Sequence, residues 1–382
     1  MIKFYSMFKG ERVFTPGPVE LPDRVREVLG RQTIHHRTPE FTEAFLEARE
    51  LFKQLVDCKE DNFVFFASSG TGAMEASVLN FFEEGDKVIA VVGGKFGERW
   101  AELGRRWKLN VVELEVEWGR SVEPEKVEKL LKEHPDCKGV LVQASESSTG
   151  AYHDVLKLAE ITKERDTLLV VDAITALGVY YMKPHEWGLD VVIGGSQKAF
   201  MLPPGLSMLW FSEKAKDRLT NRAYYFNIKE ELKKQTEGQT AWTPAINLIL
   251  ALRESLSMLL EDGMERVEKR YRAVSKAMSE AISSAGLSIL PDNPSISLTV
   301  VLPPEGLSAD SIRKEMLKLG VRVAGGQGRL KGKIFRISHM GMDPLDMVVA
   351  LSAMEIALSR LGYNLNKGSA VGTYLENVLE VL

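Results

Sequence analysis

Residues Asp190–Phe211 read DVVIGGSQKAFMLPPGLSMLWF, and the two apolar runs in this stretch set the reading of the whole chain. Asp190 to Ile193 ends a buried strand, and Leu206 to Phe211 starts another soon after. Between them stands Lys198. A lysine is almost never fully buried without a partner, so a solvent-facing loop residue is the plain reading. A desolvated amine with a lowered pKa, able to form a Schiff base, is the alternative.

Working outward, short apolar runs alternate with amphipathic segments from about residue 60 to 215. Phe63 to Ala67, Lys87 to Val92, Val111 to Glu115, Gly139 to Gln143, Leu168 to Asp172 and Val191 to Gly194 read as strands. Gly72 to Phe82, Glu123 to His134 and Asp154 to Arg165 read as helices. This alternation, with nearly continuous apolar strands, predicts an α/β fold: a mostly parallel sheet between helices. In such sheets ligands sit outside the carboxyl ends of the strands.

Beyond residue 243 the pattern changes. Two long helices, Ile246 to Leu260 and Met264 to Ala285, precede strand-like 297–302 and 333–338 and helix-like 309–319 and 344–361. These form a smaller α+β C-terminal unit. The expected division is a large domain over 16–255 and a small one over 256–382, completed by residues 1–15. Residues 371–382 read as a short helix of no evident role.

Composition narrows the function. The 382 residues carry a net charge of −4, which gives no basic surface for nucleic acid or acidic lipid. The start MIKFYSMFKGERVF is charged too early for a signal peptide, and no apolar run is long enough to span a membrane. With only two cysteines, Cys58 and Cys137, far apart, neither a disulfide framework nor a cysteine zinc site is expected, and a cytoplasmic location fits. His35-His36 lacks a spaced third ligand, so no metal site is expected.

Three sites carry chemistry. Ser68-Ser69-Gly70-Thr71-Gly72 follows the strand FVFFA and opens a helix. Free backbone N–H groups and hydroxyls there suit a phosphate, although Ser69 or Thr71 could equally be an ordinary helix cap. It is not a GxxxxGK[ST] phosphate loop. Asp172 ends LLVVD on the ligand side of the sheet, where a carboxylate could hold a pyridinium nitrogen protonated. Lys198 lies one strand further on. A phosphorylated pyridine aldehyde would use all three.

The blocks SSGTGAMEA, GGKFGERW, SESSTG, LLVVDAITALG, GGSQKAFMLPPG, WTPAINL with LRESL, and IFRISHMG occur in one order from Thr15 to about Arg336. In this the chain resembles the class V aminotransferases of pyridoxal-phosphate (PLP) fold type I, and most closely their alanine–glyoxylate and serine–pyruvate group. The resemblance implies that Lys198 forms the Schiff base, Asp172 partners the pyridinium and Gln197 contacts the cofactor. It implies that Ser69, Gly70 and Thr71 hold the phosphate and that Phe96 stacks on the ring, where many members have Trp. It puts Ser147 near the ring hydroxyl and Arg336 on the substrate α-carboxylate. The bare sequence, with Lys333 and Arg336 alternating with Ile334 and Ile337, allows a solvent-facing arginine as well.

Thr243 is implied to reach the phosphate of the other subunit, making a homodimer with shared active sites. The implied reaction is ping-pong transamination between serine or alanine and pyruvate or glyoxylate, with Lys198 as the base at Cα. His36-Arg37 matches a segment of phosphoserine aminotransferases, so phosphoserine or 2-aminoethylphosphonate is an alternative donor. A lyase of the cysteine desulfurase type and a non-catalytic assembly subunit are further alternatives. A cation facing Asp172 would depress its pKa.

Overall fold

The computed structural model describes residues 10–379. Residues 1–9, which carry most of the start MIKFYSMFKGERVF and of the segment expected to complete the small unit, lie outside the described residues, as do 380–382 of the stretch 371–382 expected to be a short helix. In chain order the strands are β1 (Arg12–Phe14), β2 (Phe63–Phe66), β3 (Lys87–Val92), β4 (Asn110–Glu115) and β5 (Cys137–Gln143). There follow β6 (Ser145–Glu146), β7 (Ala151–Tyr152), β8 (Leu168–Asp172), β9 (Val191–Gly195) and β10 (Ser207–Phe211). The last are β11 (Ser288–Ile289), β12 (Leu298–Leu302), β13 (Val321–Gly325) and β14 (Phe335–Ser338).

Seven strands form one sheet in the order β2-β10-β9-β8-β5-β3-β4. The pairs β3–β4, β3–β5, β5–β8 and β8–β9 are parallel, whereas β10 runs antiparallel to both β9 and β2. The alternation predicted a mostly parallel sheet, and that is the arrangement found. Its antiparallel member follows from the short 196–206 connection, which leaves no length for a crossover.

Both faces are covered. Val140 and Val142 point into one layer with Leu169, Val171 and Met208, while Leu141 points into the other with Val170, Ile193 and Leu209. The period-2 pleat therefore buries every residue of β8, and LLVVD shows no polar alternation because neither face meets water.

The chain lays β3 and β4 to one side and then returns with β5 on the other side of β3, continuing outward through β8 and β9. The order thus reverses between β3 and β5. A crevice opens at the carboxyl ends of strands at such a reversal.

A second sheet, β1-β13-β14-β12-β11, has its own core of Val274, Met278, Ile312, Val321, Phe335, Ile337 and Leu351. The strand β1 joins it by parallel pairing with β13. The helix Met264–Ser284 links the two cores: Met264 and Val267 pack in the first, and Val274 to Ile282 in the second. Among the described residues no helix is long and apolar enough to cross a membrane.

Candidate active site

The carboxyl ends of β2, β3, β5, β8 and β9 converge on one cavity. Its wall includes Ser69, Gly70 and Thr71 after β2, Phe96 after β3, Ser147 after β5, Asp172 at the end of β8, and Gln197 and Lys198 after β9. Eight of the residues singled out in the sequence are therefore neighbours in space.

Ser69 is the N-cap of the helix Gly70–Phe81, yet its side chain makes no capping hydrogen bond. Ser69, Gly70 and Thr71 line the cavity at this helix start, where an anion is favoured. Gly70 is required by close approach: a Cβ there would run into Ile174. Thr71 Oγ1 accepts from Arg99 Nη1 at 2.9 Å. Arg99, which also lines the cavity, was not singled out in the sequence. The signal was present in GGKFGERW, since Phe96 and Arg99 stand three apart on the helix Lys95–Arg106 and share a face. The guanidinium carbon lies 4.9 Å from the Phe96 ring centroid.

Asp172 is 5 % exposed. Its Oδ1 accepts from Ile174 N at 2.9 Å, and Oδ2 has no partner among the described residues. The depressed pKa is expected where a pyridinium cation faces the carboxylate; in the chain by itself the carboxyl is pushed up to about 6. Burial is the main cause. The nearby Glu146 carboxylate adds to it, and together they outweigh the Ile174 N–H, Arg99 and Lys198.

Lys198 sits between β9 and β10, half-buried. Its Nζ donates to the carbonyl of Pro16. Burial, with Arg336 and Arg99 as neighbouring cations, pushes the amine down to about 8 against the pull of Asp172. The solvent-facing loop lysine is thereby replaced by a desolvated amine. Beside it, Gln197 Oε1 is buried with no partner.

Arg336 is 6 % exposed rather than solvent-facing. It lies on the central strand β14, opposite Val300 of β12 and Ala324 of β13. Its Nε donates to Gly325 O at 2.9 Å and its Nη1 to Ser147 O at 2.8 Å, while Nη2 has no partner among the described residues. Burial lowers its pKa to about 10, which leaves it charged at neutral pH. It does not line the cavity wall, but Ser147, which it grips, does.

Thr243 is placed elsewhere. It follows Trp242 in a separate depression with Tyr225 and Leu206. His35 and His36 stack at 4.6 Å in the loop before the helix Pro39–Leu55, and Arg37 borders a surface groove along that helix. None of the three reaches the cavity of its own chain. Cys137 starts β5 at the opposite end of the strand from Gln143, and burial pushes the Cys58 thiol up to about 11. Neither cysteine lines the cavity. The described residues contain no cluster able to hold a metal ion.

Residues 25–328 match the family model for class-V aminotransferases. A serine–glyoxylate aminotransferase of Hyphomicrobium methylovorum is 35% identical over 380 residues, covering 95% of this chain and 93% of that protein. The soluble hydrogenase 42 kDa subunit of Anabaena cylindrica is 35% identical over 93% of this chain and 95% of its own length. An aspartate aminotransferase of subgroup IV from Thermus thermophilus superposes with a TM-score of 0.84 at 35% identity, over 97% of this chain and 99% of that one.

Proposed function

The chain belongs to the class-V aminotransferase family, and from that premise we propose that it transfers the amino group of serine or alanine to glyoxylate or pyruvate, using pyridoxal phosphate. One observation carries the reading. Ser69–Gly70–Thr71, Asp172 and Lys198, from three separate chain segments, line a single cavity.

The residues fit the cofactor. The helix start at Gly70 offers N–H donors to a phosphate, with the Arg99 guanidinium beside Thr71 adding charge. Asp172 Oδ2 is free to hold the proton on a pyridine nitrogen. The buried, unpartnered Gln197 Oε1 calls for a donor. Phe96 supplies an aromatic face. When bound, pyridoxal phosphate supplies an electron sink for charge that develops at the substrate Cα.

The chain supplies the rest. With its pKa near 8, Lys198 Nζ is an effective acceptor of the Cα proton close to neutral pH and can return it. Arg336 Nη2, together with the remaining N–H of Nη1, presents a fork to the α-carboxylate, and the bonds to Gly325 O and Ser147 O fix the orientation of that fork. Both half-reactions use the same groups, which is the basis of a ping-pong scheme.

The name of the Hyphomicrobium protein supports serine as donor and glyoxylate as acceptor. The position of Thr243, outside the cavity of its own chain, supports a homodimer in which it serves the partner's phosphate. The free Cys58 and Cys137 fit a reducing, cytoplasmic location. Both lie away from the cavity, which disfavours desulfuration.

A half-reaction screen tests the reading. The loaded protein is mixed with single amino acids and the loss of its visible absorbance is followed. Serine and alanine should bleach it fastest. Preference for phosphoserine or 2-aminoethylphosphonate would move the substrate assignment, and a protein that takes up no pyridoxal phosphate would overturn the reading.

A further inference from the structure

Glu146 is fully buried and does not itself line the cavity, yet it collects four hydrogen bonds. Its Oε2 accepts from Phe96 N and Gly97 N, both at 3.0 Å. Its Oε1 accepts from Ser148 N at 3.1 Å and Ser148 Oγ at 2.6 Å. Ser148 Oγ in turn accepts from Lys95 N at 2.9 Å. One carboxylate therefore holds the first turn of the helix Lys95–Arg106, which carries Phe96 and Arg99, against the turn 146–150. That turn presents the Ser147 carbonyl to Arg336.

The approach is close. A Cβ on Gly94, the N-cap of this helix, would collide with the Glu146 side chain. Gly97 is closed in from the other side, since its Cβ would stand 2.5 Å from Val91 O. The absence of a side chain at Gly94 leaves room for the carboxylate, and its absence at Gly97 lets the helix start pack against β3. A buried carboxylate is costly unless its lone pairs are satisfied. Here four donors satisfy them, and two of these are helix N-terminal N–H groups, which favour negative charge.

We propose that Glu146 is a positioning residue that sets the Phe96 ring against the cofactor and, through Ser147, the seat of the Arg336 guanidinium, so that cofactor fit and carboxylate binding are coupled. The proposal rests on the pyridoxal-phosphate reading above. Glu146→Gln keeps the shape and reverses the chemistry at one end. If the amide oxygen faces Phe96 N and Gly97 N, the amide nitrogen faces Ser148 N, donor against donor. If the amide is flipped, the same conflict falls on the helix.

The experiment titrates cofactor-free protein with pyridoxal phosphate, reading the dissociation constant by tryptophan fluorescence and the ring orientation by visible circular dichroism. Glu146→Gln should raise the dissociation constant by roughly tenfold and change the dichroic band. In a Phe96→Ala background the same substitution should cost less, because the two act through one contact. Should Glu146→Gln fail to fold, Ser148→Ala removes only the hydroxyl bridge to Lys95 N and should shift both readouts in the same direction by a smaller factor.

A folded Glu146→Gln protein with the wild-type dissociation constant and dichroism overturns the proposal. So does a penalty undiminished by Phe96→Ala, or, where Ser148→Ala is the variant used, an unchanged titration. Failure of the wild-type chain to take up pyridoxal phosphate at Lys198 would instead overturn the transaminase reading itself.

Discussion

Lys198 Nζ donates a hydrogen bond to the carbonyl oxygen of Pro16, 182 residues away in the chain. The contact ties the loop between β9 and β10 to the segment that leads out of β1, so the amine is held from both sheets at once. The next residue, Gly17, has φ +121, and a Cβ there would stand 2.5 Å from Lys198 Nζ. Gly17→Ala should therefore both strain the backbone and push the amine aside. Its covalent uptake of pyridoxal phosphate, followed by absorbance, should slow at least about tenfold, by the loss of 1.4 kcal/mol or more of positioning. Uptake at the wild-type rate would show that the amine has freedom this geometry denies.

The amine should also reveal its pKa. Reductive methylation of cofactor-free protein, mapped by peptide, should reach half its maximal rate at Lys198 near pH 8, against roughly 10.4 for an ordinary lysine. Arg336→Gln removes a cation that disfavours the protonated amine, so the Lys198 midpoint should rise in that variant. A Lys198 midpoint matching the surface lysines would contradict the desolvated site. The same peptide map, made after loading with pyridoxal phosphate and reducing with borohydride, should carry the pyridoxyl label on Lys198.

Asp172 has a folded pKa of about 6 against a reference of 3.8. A group raised on folding contributes stability that is fully present below the unfolded pKa and is lost as pH rises through the folded one. At about 1.4 kcal/mol per unit the difference is roughly 3 kcal/mol. Cofactor-free wild-type protein should thus lose about that much stability relative to Asp172→Asn between about pH 3 and pH 7, read by urea titration at each pH. Bound pyridinium should pull the carboxyl down and abolish the difference. In the loaded variant the half-reaction should slow by several orders of magnitude. Parallel stability curves for the two cofactor-free proteins would place the carboxyl in a solvated setting.

Much of this was legible in the sequence because it is local. The runs LLVVD and DVVIGG announce buried parallel strands through their unbroken apolar character, and strand ends fix where Asp172 and Lys198 must lie. The turn SSGTG sits at the helix start for the same reason. Arg336 was ambiguous. Alternation along a strand says which faces differ, and only the pairing with β12 and β13 shows that its face is covered. The upward shift of Asp172 in the cofactor-free chain is not legible in the sequence, because the burial that dominates it depends on how Glu146 and the helix Lys95–Arg106 close the site. That closure joins residues about 50 apart and leaves no periodic trace. Arg99 escaped notice for a related reason: its partner Thr71 lies on another helix.

Arg336→Lys tests the carboxylate clamp. The guanidinium spends its Nε on Gly325 O and one Nη1 hydrogen on Ser147 O, which holds the plane while Nη2 remains free. An ammonium is too compact to keep both backbone bonds and still reach the substrate with two more. Charge-assisted hydrogen bonds are worth roughly 1.5–3 kcal/mol each, so losing one should raise KM for α-amino acids about ten- to a hundredfold. Serine and glyoxylate should suffer alike, since donor and acceptor present the same carboxylate. Affinity for pyridoxal phosphate should change far less than KM, because Arg336 does not line the cavity wall and meets it only through Ser147. An aminophosphonate, which has no α-carboxylate, should be little affected. If KM for every α-amino acid is preserved, the carboxylate is held elsewhere, and Arg37, exposed at the start of the helix Pro39–Leu55 and outside the cavity of its own chain, becomes the residue to replace next. A loss in Arg37→Ala that appears only in the assembled dimer would then assign the clamp to the partner subunit.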